Sequence, residues 1–120
     1  MANIFIKLPL SASSYGMQIP INGTTSGSAT PIHTAVTGSS AIDEIWMYAY
    51  NDATASIMLS INWGSLVEPA NVVRSTLPSQ SGRILIIDGK LLYNGLLISA
   101  YAGTGSYISI DGYVNRIISQ

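Results

Sequence analysis

His33 is the only imidazole in this 120-residue chain, and with no cysteine present it is the one side chain whose ordinary titration suits general-base work near neutral pH. A Ser-His-acid group also needs an exposed, strained serine, and no Gly-x-Ser-x-Gly elbow occurs. His33 therefore reads as a hydrogen-bonded residue of the Ser/Thr-rich stretch around it. Glycoside hydrolysis would require two facing carboxylates, and the available acids are Asp43, Glu44, Asp52, Glu68, Asp88 and Asp111. Asp52, Glu68 and Asp88 fall in turn dipeptides, and Asp111 precedes Gly112, so all four read as local geometry formers. A small polysaccharide-active enzyme built on Glu68, Asp88 or Asp111 is the weakest functional reading, and no catalytic residues are expected.

Metal and phosphate chemistry fare no better. Asp43 and Glu44 are adjacent, so on a strand they point to opposite faces and cannot share one ion. Asp88-Gly89 and Asp111-Gly112 lack the repeated oxygen spacing of a calcium loop, and a zinc cluster of histidines and cysteines is impossible. Gly103-Thr104-Gly105 joins two expected strands instead of opening a helix, so it offers no phosphate cradle. No cofactor and no metal are expected.

The elements that would have to position any of these groups are all β. Only 9% of residues are charged, with a formal net charge of -1, against about 25% charged in ordinary soluble domains. A monomer of this mass exposes roughly 6,200 Å² when folded. Eleven charges spread over that surface leave large stretches to Ser, Thr, Asn, Gly and apolar atoms, which favours association. The five basic residues Lys7, Arg74, Arg83, Lys90 and Arg116 are scattered singly, which excludes a phosphate-tracking stripe and argues against nucleic acid as a partner. Met1 to Leu10 is broken by Lys7 and Pro9 and is unlike a secretory signal. The most apolar tract, Ile84 to Ala102, is interrupted by Asp88 and Lys90, so no membrane span and no membrane partner are expected.

Residues 1–40 are expected to form an N-terminal strand and an extended arm, because sixteen of the thirty positions from 11 to 40 are Ser, Thr or Gly. Residues 41–120 are expected to form the body. Short β-rich runs end in turn chemistry there: Ile42 to Asn51, Ala55 to Trp63, Val72 to Leu77, Arg83 to Ile87, Lys90 to Tyr93, Leu96 to Tyr101 and Tyr107 to Ile118. Asp88-Gly89 and Asn94-Gly95 both suit type I′ hairpins, and Gly112 suits a bulge bending the last strand. Eight to nine strands in one domain predict an antiparallel β-sandwich, jelly-roll-like in architecture.

In the run Glu44 to Tyr50, period-two alternation puts Ile45, Met47 and Ala49 on one face and Trp46, Tyr48 and Tyr50 on the other, so both faces seek cover. A sandwich strand has one core side, which leaves intramolecular packing, a subunit interface or a ligand platform for the aromatic side. Trp46, Tyr48, Tyr50, Trp63 and Tyr93 are the candidate interface residues.

The segments Asp43 to Asn51, Ile61-Asn62-Trp63-Gly64 and Gly112-Tyr113-Val114-Asn115-Arg116 resemble small structural proteins of tailed bacteriophages, most closely the capsid decoration or cement proteins. The resemblance covers residues 41 to 118 and rests on strand patterns. It implies a non-enzymatic virion protein, made in the host cytoplasm, that sits on the outer capsid surface. Its partners would be the major capsid protein and further copies of itself, often as a trimer and sometimes as a dimer. The competing reading is a tail or head fibre module that binds a host receptor or glycan.

Overall fold

The computed structural model describes residues 3–119 as nine β-strands and one short 3-10 turn, with no α-helix among the described residues. The strands are β1 (Ile4–Pro9), β2 (Ile19–Ile21), β3 (Thr30–Thr34), β4 (Ala41–Asn51), β5 (Ile57–Trp63), β6 (Val72–Leu77), β7 (Ile84–Leu92), β8 (Leu97–Ala102) and β9 (Ile108–Ile118). They form two antiparallel sheets. Sheet A has the order β1-β9-β4-β7, with β2 also paired to β9, and sheet B has the order β3-β8-β5-β6.

Alternation explains the core. Along β4, every second residue from Ala41 to Asn51 is buried and the intervening ones are half-buried, the pattern of a strand with one face in a core. Ile45 and Met47 from β4 and Ile110 and Val114 from β9 meet Leu59 and Ile61 from β5 and Ile98 and Ala100 from β8 in one apolar cluster between the layers. The folded chain exposes 6269 Å² and measures 51 × 28 × 21 Å, an elongated body.

Residues 11–40, expected to be an extended arm, are strung across both sheets. Ile19 and Ile21 enter the core from β2, and Ile32 and Ala35 enter it from β3 and the residue just after it. Between them, the Ser26–Ser28 turn is capped by Thr25, whose Oγ1 accepts from the Ser28 N–H, and it covers Asn62 and Ser99 on the outer side of sheet B. Sparse apolar residues placed at alternate positions suffice, because a pre-existing sheet supplies the other half of each contact.

Two turn expectations need correction. Asp88-Gly89 is not a hairpin: β7 runs through it, and Gly89 (φ +85°) takes up a register shift where Ile45 and Trp46 pair with Lys90 and Asp88. Asn94-Gly95 is a tight turn with both φ values positive (66° and 69°), as a type I′ turn demands, yet it carries the chain from sheet A to sheet B and pairs no adjacent strands. Gly112 likewise is no bulge against β4, since that register is unbroken from Ala41 to Asn51. It is needed because a Cβ there would sit 2.0 Å from the Trp46 carbonyl oxygen.

Candidate functional site

Three regions hold the side chains that could act. The first is the outer face of sheet A, where the cross-strand register places Trp46 opposite Tyr113 and Tyr48 opposite Asp111. Trp46 and Tyr113 stack with centroids 6.2 Å apart and planes 14° from parallel. Lys7 lies over Tyr113 at 4.3 Å and Arg83 over Tyr48 at 3.6 Å, cation-π contacts that cover the rings from the side. Glu44 Oε1 accepts from Trp46 Nε1 (2.9 Å) and Asn115 Nδ2 (3.1 Å), and these two bonds hold its carboxyl below the usual glutamate range. Tyr50 donates to Asp52, whose carboxylate raises the phenol above its ordinary value. The aromatic side of β4 is thus half-covered by its own sheet.

The second region is a buried polar cluster below the same strands. Asp43 is fully buried, accepts from Arg116 Nε (2.8 Å) and Nη2 (3.1 Å), from the Val36 N–H (3.1 Å), and pairs with His33 Nε2 at 2.8 Å. Burial would raise its carboxyl, but the bonds from Arg116 and His33, the Arg116 charge and the Val36 N–H outweigh it, so Asp43 ionises below the usual aspartate range. The Ser11 N–H donates to His33 Nδ1 (3.0 Å), which makes Nε2 the protonated nitrogen that donates to Asp43. Ser11, His33 and Asp43 therefore stand in the order of a catalytic triad with a different wiring. The nitrogen that would activate a hydroxyl takes a backbone N–H, while Ser11 Oγ accepts from the Thr34 N–H at 2.7 Å. The cluster clasps the end of β1 to β3, β4 and β9.

Two of the remaining three acids are engaged as well. Glu68 binds Tyr101 and Arg74, the tyrosine bond chiefly lowering its pKa, and Asp111 binds Arg83 Nε at 2.9 and 3.1 Å. Asp88 is exposed. Among the described residues no three His, Asp or Glu side chains converge as a metal site, and no helix is long and apolar enough to cross a membrane. The depressions are open and small: one of about 350 Å³ is lined by Asp52, Ala53, Ser56 and Tyr107, and another of about 320 Å³ by Leu91, Tyr93 and Leu96.

The third region is one end, or pole, of the sandwich. The register brings together the start of β1, the end of β9, the β5–β6 loop and the β7–β8 turn. Ile4, Phe5 and Ile6 from β1, Leu66 and Val67 from the β5–β6 loop, and Leu91, Tyr93, Leu96 and Leu97 around the β7–β8 turn are all exposed there. They are nine of the fourteen exposed large hydrophobics among the described residues, so the apolar surface is concentrated, not scattered. Phe5, at 69% exposure, is the most open of the nine.

Of the five candidate interface residues, Trp46, Tyr48 and Tyr50 share the outer face of sheet A, and Tyr93 stands at the pole. Trp63 joins neither group: it is 8% exposed, part of the core, and donates Nε1–H to the Leu91 carbonyl at 3.3 Å. Sequence reasoning missed Leu66, Val67, Leu96 and the β1 residues, because the loops that bring them together are far apart in the chain. It also missed the clasp; a lone acid at the first turn of β4 and a lone histidine show no pattern until three strands meet. Comparison with known protein families, curated proteins and solved structures finds no match.

Proposed function

We propose that this chain is a structural subunit of a virion, a capsid decoration protein that binds the outer surface of the major capsid shell and holds neighbouring capsomers together. The observation that carries the reading is the apolar pole of the sandwich, where three separated segments gather most of the exposed large hydrophobic side chains among the described residues. The strand order supports a jelly-roll form of the sandwich. With β1 and β2 counted as two halves of one strand beside β9, eight strand positions remain, and every connection except β5–β6 passes from one sheet to the other. Jelly rolls serve as viral capsid and lectin domains, an argument by fold analogy only. The resemblance of residues 41–118 to decoration proteins points the same way. Repeated contacts of about 800 Å² per partner around a symmetry axis would cement a shell because many must break together.

The test is heat resistance of particles with and without the protein. Decorated particles are expected to retain their genome to higher temperature, and equal release temperatures refute a stabilising role. A Leu66→Ser, Val67→Ser double variant is expected to bind shells at least about tenfold more weakly, since each side chain forgoes roughly 1.5 kcal/mol or more of burial, with its own melting unchanged. The alternative, a fibre module binding a receptor or glycan, would use the Trp46 and Tyr113 stack with Glu44 and Asn115 as polar neighbours. That platform is flat and already occupied by Lys7, which favours the shell reading.

A further inference from the structure

A β-sandwich has four lateral edges, here β1 (continued by β2) and β7 in sheet A, and β3 and β6 in sheet B. Each offers a row of backbone donors and acceptors to any passing strand, so soluble proteins guard such edges with cover, bulges or charge. β3 is covered: the Ala12 N–H donates to the Ile32 carbonyl (3.1 Å), the Thr34 N–H donates to Ser11 Oγ (2.7 Å), and Pro31 adjoins a register shift. β7 carries two register shifts and turns Lys90 inward toward Trp63. β6 presents Arg74, held by Glu68 and Tyr101, and exposes no large apolar side chain.

Among the described residues β1 has neither cover nor a bulge. Its register with β9 is unbroken from Ile4 to Pro9, and its one charge, Lys7, is folded back over the Tyr113 ring. Ile4 and Ile6 face the core side and Phe5 faces the outer side, yet all three are exposed, so neither layer of the body covers the first half of this strand. A mate must supply both a hydrogen-bonding edge and cover on two faces, which is what a further strand of the same sheet provides.

We propose that β1 pairs antiparallel with β1 of a second copy about a two-fold axis at Ile6, which rests on the assembly reading in that copies of this chain meet one another. Such an axis keeps the outer faces of the two sheets on one side, so it must pass through a residue, and the sequence selects which. Centred at Ile6, five positions pair: Ile6 with Ile6, Ile4 with Leu8 on the inner face, and Phe5 with Lys7 on the outer face. Pro9, which lacks an N–H, falls just outside. Centred at Lys7, two ammonium groups would stand opposite each other, and centred at Phe5 only Ile4 to Ile6 would pair. In the Ile6 register, Phe5 of the second copy stands opposite Lys7 and extends the outer-face row of Glu44, Asn115 and Lys7, and sheet A becomes continuous across the pair.

The register is tested with the full chain, which has no cysteine of its own. Opposed residues of an antiparallel pair have Cα atoms about 4.5–5.5 Å apart, within the roughly 4.4–6.8 Å that a disulfide spans. Ile6→Cys is expected to oxidise to a covalent dimer, and Met58→Cys, exposed on β5, to remain monomeric on denaturing gels. By sedimentation the unmodified chain is expected to dimerise. Phe5→Lys should weaken the dimer roughly tenfold by setting like charges opposite at two symmetric sites, and Phe5→Lys with Lys7→Glu should restore it. A chain that stays monomeric at its solubility limit overturns the proposal. So does a dimer that survives Phe5→Lys, or one in which Ile6→Cys fails to cross-link. A cross-linked dimer that does not bind shells would sink the decoration reading and leave this pairing standing, whereas a monomer that decorates shells would do the reverse.

Discussion

Replacing Arg116 by Met removes the guanidinium while keeping most of the aliphatic stem, and isolates the worth of the buried clasp. Two charge-assisted hydrogen bonds to Asp43 disappear, at 2.8 and 3.1 Å, leaving a fully buried carboxylate with only His33 and the Val36 N–H. Hydrogen bonds to charged groups contribute about 1.5–3 kcal/mol each, and stripping one partner from a buried pair costs about 3–5 kcal/mol. Arg116 retains 25% exposure, so water already screens the pair and can replace part of what is lost. The expected destabilisation is therefore about 2–4 kcal/mol, a fall in Tm of roughly 10–15 °C for a domain of this size. The pH dependence gives a second readout. The folded-state pKa of Asp43 lies below its unfolded value, so the stability it contributes is complete above about pH 5 and is lost as the pH falls through the unfolded and then the folded value. Without Arg116 the folded pKa rises, and the acid limb of the stability profile should move to higher pH. Urea unfolding followed by tryptophan fluorescence at several pH values measures both. A loss below about 1 kcal/mol with an unmoved acid limb would show that the clasp is not coupled as described.

Gly112→Ala places a Cβ 2.0 Å from the Trp46 carbonyl oxygen and 3.0 Å from the Met47 Cα, in the middle of the β4–β9 ladder, and is expected to cost more than about 3 kcal/mol or abolish folding. Gly38→Ala, with φ +77° and nothing within 4 Å, should cost only about 1 kcal/mol, and thermal melts compare the two. Asn51→Ala strands the Ala55 and Leu77 carbonyls and the Ala53 N–H that this buried side chain satisfies, with an expected cost of about 2–4 kcal/mol and faster amide exchange at Ala53. Acidification of the unmodified chain should leave stability level down to about pH 5 and lower it below, in calorimetry at matched ionic strength.

The clasp and the edge bear on assembly together. Ser11 donates to His33 immediately after β1 ends, so the strand that carries Ile4, Phe5 and Ile6 is anchored at its Pro9 end by the polar cluster. An anchored, straight strand loses less conformational entropy on pairing than a mobile one, which lowers the cost of association. Weakening the clasp should loosen the edge as well as the core.

Period-two alternation made the all-β class, the two faces of β4 and most of the strands from Ile42 to Ile118 legible in the amino-acid sequence, because burial on a pleat is a local property that every second residue reports. Low charge was equally plain, and it argued for association before any surface could be drawn. What the chain could not show by itself was which strands become neighbours. Asp88-Gly89 has hairpin chemistry and became a bulge, because β7 had a full-length partner in β4 and needed to continue. Trp63 has the look of an interface residue and became core, because β5 is central in sheet B and its inner face meets sheet A. The apolar pole, the His33–Asp43–Arg116 clasp and the open β1 edge all join residues dozens of positions apart. They arise only when long-range pairing closes the loops between them, and loop closure depends on the stability of the whole packed arrangement, which no local window of sequence encodes.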